Sequence, residues 1–208
     1  MKKALVLLAM FLPFAVSAEQ ISVEYSSFYS HIRKLDNEDL KALQFSFGFK
    51  RVGSNELCGI ENAHIHTQKQ TIPVVINNEN RFTLPSEKAL KMAKAEVVVM
   101  LKEAANRCDM SVQLETKGKY LKKSYTSEEL QYLFQQYQNF FDEMGGFLSF
   151  MMPTATGITF LFDEPVTQVP EGLKVENASV SMDASWLAAG HSANWKVKPI
   201  RIISMTSG

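Results

Sequence analysis

The two cysteines of the chain, Cys58 and Cys108, constrain its fold more than any other feature, but their meaning depends on the compartment in which the chain folds. In an oxidising compartment such a pair forms a disulfide, whereas cytosolic thiols stay reduced. The N-terminal residues indicate which case applies.

The first 18 residues have the three parts of a secretory signal peptide. Lys2 and Lys3 form a charged head, residues 4–16 are an apolar run, and small residues follow up to Ala18. The run is shorter than the roughly 20 residues that a membrane-spanning helix needs. No cysteine follows it that could carry a lipid anchor. We therefore predict cleavage after Ala18 and a mature protein, residues 19–208, that is exported and has no transmembrane segment.

In an exported chain, the two cysteines are expected to pair with each other. Closing a loop of about 50 residues stabilises a fold by roughly 4 kcal/mol in the chain-entropy model. The alternative is a free nucleophilic cysteine, which needs a histidine and an orienting partner beside it. A Cys58–Cys108 disulfide is the prediction.

The composition is that of a folded globular protein without a strong charge. Hydrophobic residues make up 46% of the chain and charged residues 21%. There are 22 basic and 22 acidic residues, and loss of Lys2 and Lys3 with the signal peptide leaves a net charge of about −2. Such a protein has no electrostatic attraction for nucleic acid.

Alternating apolar and polar residues predict strands in the first half of the mature chain. Leu43, Phe45, Phe47 and Phe49 fall at every second position and give one strand a bulky buried face. Comparable patterns predict strands at residues 21–25, 60–68, 72–76, 81–84, 95–101 and 108–114.

The second half contains the clearest helix signal. Thr126 or Ser127, followed by Glu128 and Glu129, is typical of a helix start, and apolar residues then recur at steps of three and four until Gly145. Strands are predicted at residues 158–162, 173–175, 178–182 and 195–203, the last broken at Pro199, where a bulge or strand edge is expected. The predicted fold is therefore α+β and mostly β. An antiparallel sandwich-like half (19–117) precedes an amphipathic helix and a smaller β portion (118–208) packed on it.

His64 and His66 are the candidate metal ligands. Alternation along residues 60–68 places both imidazoles on the polar face of one strand, within reach of one zinc or copper ion. A site needs further ligands, which the sequence does not identify. An exposed polar strand face is the alternative interpretation.

The alternation of side chains along this strand conflicts with the predicted burial of the disulfide. If residues 58–66 form one unbroken strand, Cys58 points to the same side as His64 and His66, although Cys108 lies on a buried face. Either Gly59 forms a bulge that reverses the phase and leaves the histidines in solvent, or the histidines face inward beside the disulfide. We expect the bulge, which a glycine within a strand pattern often marks.

Other segments offer a contact surface but no catalytic group. Phe147, Leu148, Phe150 and Met151 form an unusually apolar stretch after the helix, which is either core or a surface for a partner. His191 and Ser192 are adjacent, but they lack the nucleophile-elbow pattern and an evident acid partner.

The chain resembles an uncharacterised family of exported gammaproteobacterial proteins, a domain of unknown function. The resemblance rests on YSSFY at residues 25–29, Cys58, RFTLP at 81–85 with KALK at 88–91, and Cys108. It extends over most of the mature chain and implies a periplasmic location in a Gram-negative bacterium. It transfers no activity and no catalytic residue.

From these observations we predict a periplasmic binding or accessory module without enzymatic activity and without a cofactor. Its partner would be an unidentified protein or envelope component rather than nucleic acid. The alternatives are a zinc- or copper-binding protein that uses His64 and His66, and a hydrolase whose site forms only in the fold.

Cleavage of the signal peptide is directly testable. The intact mass of the protein recovered from the periplasm should correspond to a chain that begins at Glu19, because the small residues before this position suit signal peptidase. A different N-terminus would contradict the predicted cleavage.

Overall fold

The computed structural model describes residues 19–145, 153–167 and 169–207, and the predicted signal peptide lies outside these ranges. The strands are β1 (Glu19–Glu24), β2 (Leu43–Arg51), β3 (Ile60–His66), β4 (Thr71–Val74), β5 (Glu96–Leu101), β6 (Cys108–Thr116), β7 (Ser124–Tyr125), β8 (Ala155–Leu161), β9 (Lys174–Glu176), β10 (Ser179–Asp183), β11 (Ala193–Asn194) and β12 (Arg201–Thr206). The α-helices are α1 (Tyr25–Ile32), α2 (Lys88–Met92), α3 (Ser127–Gly145) and α4 (Ala184–Ala188). Single 3-10 turns lie at Arg33–Leu35, Glu38–Leu40, Ala105–Arg107 and Gly118–Tyr120.

The described strands pair only in antiparallel fashion and form several sheets, which confirms the α+β, mostly β fold. One four-stranded sheet has the order β1-β5-β3-β4, and another has the order β12-β8-β10-β9. β2 pairs with β6 along its whole length, and the short strands β7 and β11 pair with each other. On its other edge, β2 exchanges two 2.8 Å backbone hydrogen bonds between Phe47 and Phe82.

The disulfide between Cys58 and Cys108 is present, with an S–S distance of 2.08 Å. Cys108 is the first residue of β6 and lies opposite Arg51 of β2. The backbone N–H of Cys58 donates to the carbonyl of Phe49, also in β2. The predicted disulfide is therefore confirmed, and it ties the β2–β6 pair to the chain that enters β3.

α3 begins and ends where the sequence predicts, and it connects strands from both halves of the chain. The Tyr137 hydroxyl donates to the carbonyl of Ile202 in β12 at 2.7 Å. The Tyr137 hydroxyl uses its single proton in this bond. The hydroxyl of Thr116 in β6 therefore donates to the Tyr137 oxygen, at 3.0 Å. Gln136, also buried, accepts from the backbone N–H of Ala42 at 2.9 Å.

Buried apolar residues from both halves belong to one hydrophobic core. In the first half, the rings of Phe28, Phe47 and Phe82 pack within about 6 Å of one another. In the second half, Phe160 contacts Tyr125 and Trp195. The division at residues 117 and 118 remains a prediction.

Local features differ from the sequence prediction at several places. Residues 81–84 form no strand and pair only at Phe82, through isolated bridges to Phe47 and Ile76. Only the end of the strand predicted at residues 195–203 forms, because β12 begins at Arg201, after Pro199, which cannot donate a ladder hydrogen bond. α4 was not predicted, since its five residues are too few for a periodic pattern. Its first turn is capped by Asp183, whose side chain accepts from the N–H of Trp186.

Every helix that the structure describes is too short or too polar to cross a lipid bilayer.

A glycine substitution tests the packing of β8 between β10 and β12. A Cβ atom at Gly157 would lie 2.2 Å from the carbonyl oxygen of Met182 and 2.9 Å from the sulfur of Met205, so G157A must push the strands apart. We expect a loss of about 1–3 kcal/mol in the free energy of unfolding, measured by chemical denaturation. G118A is the matched control, because open space surrounds a Cβ there. Equal stability of the two variants would contradict the packing.

Candidate functional site

The predicted metal ligands lie on the outer face of the first sheet. Ala63 and Ile65 of β3 are buried, whereas His64 is half-buried and His66 is exposed. The Nδ1 atom of His66 lies 3.5 Å from the hydroxyl of Thr71 on β4. Within the described ranges, neither histidine belongs to a group of three ligand atoms close enough to share an ion. A metal site at His64 and His66 therefore remains a prediction.

The phase of β3 does reverse, but not at Gly59. The register with β5 shifts between Ile60 and Asn62, so the extra residue is Glu61. Cys58 and Ile60 are buried before the shift, and the histidines point outward after it. The expected outcome for the histidines is therefore correct, and the expected position of the bulge is wrong by two residues.

One cluster of potential metal ligands is described, and it surrounds the disulfide. A carboxylate oxygen of Glu103 lies within 4.8 Å of the sulfurs of Cys58 and Cys108. The same carboxylate accepts hydrogen bonds from Arg51 and from the backbone N–H of Gly59, both at 2.8 Å. Because disulfide sulfurs are not thiolates, this arrangement braces the bond rather than offering a metal site.

The other candidate residues do not form a common site. Phe147, Leu148, Phe150 and Met151, the predicted contact surface, lie outside the described residues. Ser192 lines an open cavity with the carboxylates of Glu128 and Glu129, but His191 packs against the ring of Trp186 instead. This cavity therefore does not combine the hydroxyl, imidazole and carboxylate that a hydrolase needs.

A cleft between the two halves of the chain combines acidic, basic and amide side chains. We call it the junction cleft; it has a volume of about 380 Å³ and is lined by Asn77, Asn78, Glu79, Leu121, Asp163, Lys198, Pro199 and Ile200. One wall comes from the loop before Arg81, and the other comes from the residues that lead into β12. Clefts between packed segments are common places for ligand sites.

Asn77 shapes the wall contributed by the first half. Its side-chain oxygen accepts from the backbone N–H groups of Glu79 (3.0 Å) and Arg81 (2.9 Å), which closes the loop. Asn80 adopts a φ of 55°, which asparagine tolerates better than most residues. The turn holds Glu79 at the cleft and directs the chain inward at Arg81.

Arg81 lies across the polar face of the β2–β6 pair. The Phe47–Phe82 bridge places Arg81 opposite Gly48, which in turn lies opposite Ser111 of β6. A Cβ at Gly48 would lie 3.4 Å from the Cγ of Arg81, so the glycine leaves room for the side chain to pass. Nη2 of Arg81 donates to the Ser111 hydroxyl at 3.3 Å. Arg81 is only 7% exposed.

Glu115 and Arg201 reach the same region because side chains alternate along a strand. Thr116 and Ile202 face the core beside Tyr137, so their neighbours Glu115 and Arg201 point to the opposite side. Glu115 is 7% exposed and accepts from the side-chain amide of Gln44 at 3.0 Å. Arg201 forms a 2.9 Å ion pair with Glu79, which lines the junction cleft.

These four residues, Glu79, Arg81, Glu115 and Arg201, form what we call the buried charge cluster. Burial raises the pKa of the Glu115 carboxyl, and the hydrogen bond from Gln44 and the charges of the two arginines oppose the shift. Burial and the neighbouring charge of Arg201 lower the pKa of Arg81. Two positive and at most two negative charges are thus held together in a region of low solvent access.

Several N–H groups of Arg81 and Arg201 could donate further hydrogen bonds. Among the described residues, Nε and Nη1 of Arg81 and Nε of Arg201 are buried without a hydrogen-bond acceptor. A buried donor without a partner costs about 1–3 kcal/mol. Nε1 of Trp195, in the core, is a further donor of this kind among the described residues. The two guanidinium groups are suited to the planar oxygens of a carboxylate or phosphate.

Sequence reasoning missed this cluster. The sequence pattern predicts only strands at Arg81 and Arg201 and indicates no role for Glu115. The one available signal was the run of Gln44, Ser46 and Gly48, which faces away from the phenylalanines of β2. Whether this polar face meets other charged residues depends on which strands pair and in which register, and the sequence does not reveal either.

The comparisons with known proteins identify a family but no activity. The family model described as "Protein of unknown function (DUF2987)" matches residues 17–162, so the chain belongs to this family. Neither the curated proteins nor the solved structures that were compared contain a match. Glu79, Arg81 and Glu115 lie within the matched residues, and Arg201 lies beyond them.

The charge state of Glu115 yields a test of the cluster. Its folded pKa is raised, so ionisation costs stability above that pKa, and the cost disappears below the unfolded pKa, where the carboxyl is neutral in both states. We expect E115Q, which retains the hydrogen bond to Gln44, to melt at a higher temperature than the wild type at pH 7. The difference should shrink as the pH falls towards about 4.

E61Q, which changes an exposed carboxylate of β3, is the control and should leave the melting temperature nearly unchanged. A lower melting temperature for E115Q at pH 7 would mean that attraction to the arginines exceeds the cost of burying the charge.

Proposed function

We propose that this member of the family is an exported binding module, without catalytic activity, that holds a small acidic ligand in the junction cleft. The observation that carries the proposal is the buried guanidinium of Arg81, which has two nitrogens without an acceptor among the described residues. Arg201 adds a third such nitrogen, and it pairs with Glu79, which lines the cleft; the two arginines themselves lie behind the lining residues. Pre-positioned donors of this kind suit a carboxylate or phosphate group.

Glu79 acts as an internal substitute for the ligand's acidic group. Its carboxylate lines the junction cleft and pairs with Nη2 of Arg201. Both side chains retain some solvent access, 25% for Glu79 and 15% for Arg201, so the pair can open without unfolding the core. A ligand that brings its own carboxylate replaces that of Glu79 and extends the contacts to the free arginine nitrogens.

The lining of the junction cleft supports binding rather than catalysis. Its described residues include two carboxylates, a lysine and two asparagines, but no serine, cysteine or histidine to act as a nucleophile or proton shuttle. Lys198 and Asp163 offer additional contacts to the polar groups of a ligand. A metal-binding role for His64 and His66 remains a separate proposal, tested by zinc or copper titration of an H64A/H66A variant.

Export is part of the proposal. The residues before Glu19 have the pattern of a cleaved signal peptide, and a disulfide persists in an oxidising compartment such as the periplasm. A binding module there would deliver its ligand to an envelope partner or retain it.

Calorimetric titration with succinate and with inorganic phosphate tests the site. The wild type should bind at least one of these probes saturably. R201Q should weaken binding by about tenfold or more, because hydrogen bonds to a charged group are lost. E79Q should strengthen it by about threefold to tenfold, because the competing internal carboxylate is removed.

E176Q is the control. It removes an ion pair of similar length, 2.9 Å, between Lys174 and Glu176, but on an exposed strand. Its affinity should equal that of the wild type. Failure of both the wild type and E79Q to bind either probe would overturn the proposal, and so would binding that R201Q leaves unchanged.

A further inference from the structure

A second cavity lies beside the first turn of α3 and is independent of the junction cleft. It has a volume of about 250 Å³ and is lined by Lys119, Tyr120, Lys122, Tyr125, Glu129, Tyr132 and Leu133. We call it the tyrosine pocket. We propose that it binds a single saccharide ring that carries a carboxylate group.

The aromatic part of the lining is a pair of neighbouring tyrosine rings that contact each other. The ring centroids of Tyr120 and Tyr132 lie 6.1 Å apart, with 44° between the ring planes. Aromatic faces pack well against the flat C–H face of a sugar ring, and they lose little conformational entropy because tyrosine has only two side-chain torsions. The small volume limits the occupant to one ring.

The floor of the pocket is held rigid by hydrogen bonds. The hydroxyl of Tyr125 accepts from the backbone N–H of Lys122 at 2.8 Å and donates to the carbonyl of Tyr120 at 3.1 Å. Tyr125 itself is buried and packs edge-on against Phe160 of the core. Ligand binding therefore needs little ordering of the backbone, which favours affinity.

The charges of the pocket favour an anionic ligand. Lys122 forms an ion pair with Glu129, whose carboxylate also caps α3 by accepting from the N–H of Thr126. Lys119 forms no ion pair with any described acidic residue, and its ammonium lies 5.0 Å from the centroid of the Tyr120 ring. One positive charge thus remains available beside the aromatic walls.

The Tyr132 hydroxyl adds a polar group to the aromatic lining. Burial and hydrogen bonding with the neighbouring Tyr120 side chain raise the pKa of Tyr132 to about 12, so the hydroxyl keeps its proton, which is directed at Tyr120, and its oxygen can accept from a hydroxyl group of a sugar. Aromatic faces, neutral hydroxyls and one cation in a cavity of this size match a sugar acid better than a metal ion or an extended peptide.

Nuclear magnetic resonance titration with D-glucuronate and D-glucose tests the proposal, since the two probes differ by the carboxylate. Glucuronate should bind more tightly than glucose. K119Q should weaken the affinity for glucuronate by about threefold and leave the affinity for glucose unchanged. Y132A should weaken both probes by about threefold to tenfold through the lost ring contact.

K123Q, which changes a neighbouring exposed lysine that does not line the pocket, is the matched control and should bind like the wild type. Equal affinity for the two probes would overturn the proposal, as would no binding of glucuronate. Glucuronate binding that persists in Y132A and K119Q but disappears in R201Q would assign the ligand to the junction cleft and also overturn it.

Discussion

The hydroxyl of Tyr137 joins three elements whose arrangement determines the rest of the structure. It donates to Ile202 of β12 and accepts from Thr116 of β6, while its ring fills the core from α3. Burial raises the pKa of this hydroxyl, so it stays protonated and can make both bonds at once. Strands from the two halves of the chain are thereby held side by side, without a ladder hydrogen bond between β6 and β12 in the described sheets.

The same bond explains why charged residues gather on the other side of these strands. Because side chains alternate, fixing Thr116 and Ile202 in the core places Glu115 and Arg201 opposite Tyr137, where Arg81 arrives across Gly48. On the core side, apolar side chains pack together and the hydroxyls of Tyr137 and Thr116 are hydrogen-bonded. The opposite side retains arginine nitrogens without an acceptor among the described residues, and the ion pair between Arg201 and Glu79 connects it to the lining of the junction cleft. Stability and the candidate site therefore arise from two faces of the same strands.

The sequence predicted elements whose signal is local. α3 follows from a capping pattern and steps of three and four, β2 from alternating phenylalanines, and the disulfide from two cysteines behind a predicted signal peptide. It did not predict α4, which is too short, or the position of the β3 bulge, which depends on pairing with β5. The sequence does not predict the buried charge cluster, because its residues come from a loop, β6 and β12. Only the pairing and register of the strands bring these residues together.

The most direct measurement of the central claim is nitrogen-15 magnetic resonance of the arginine side chains during a succinate titration. The Nε–H signals report on the groups that lack acceptors, and Arg201 and Arg81 can be assigned by substitution. The account predicts that both signals move together and saturate, while the signal of Arg51, paired with Glu56 and Glu103 far from β12 in the chain, stays fixed. Unchanged signals for Arg81 and Arg201 at saturating succinate would contradict it.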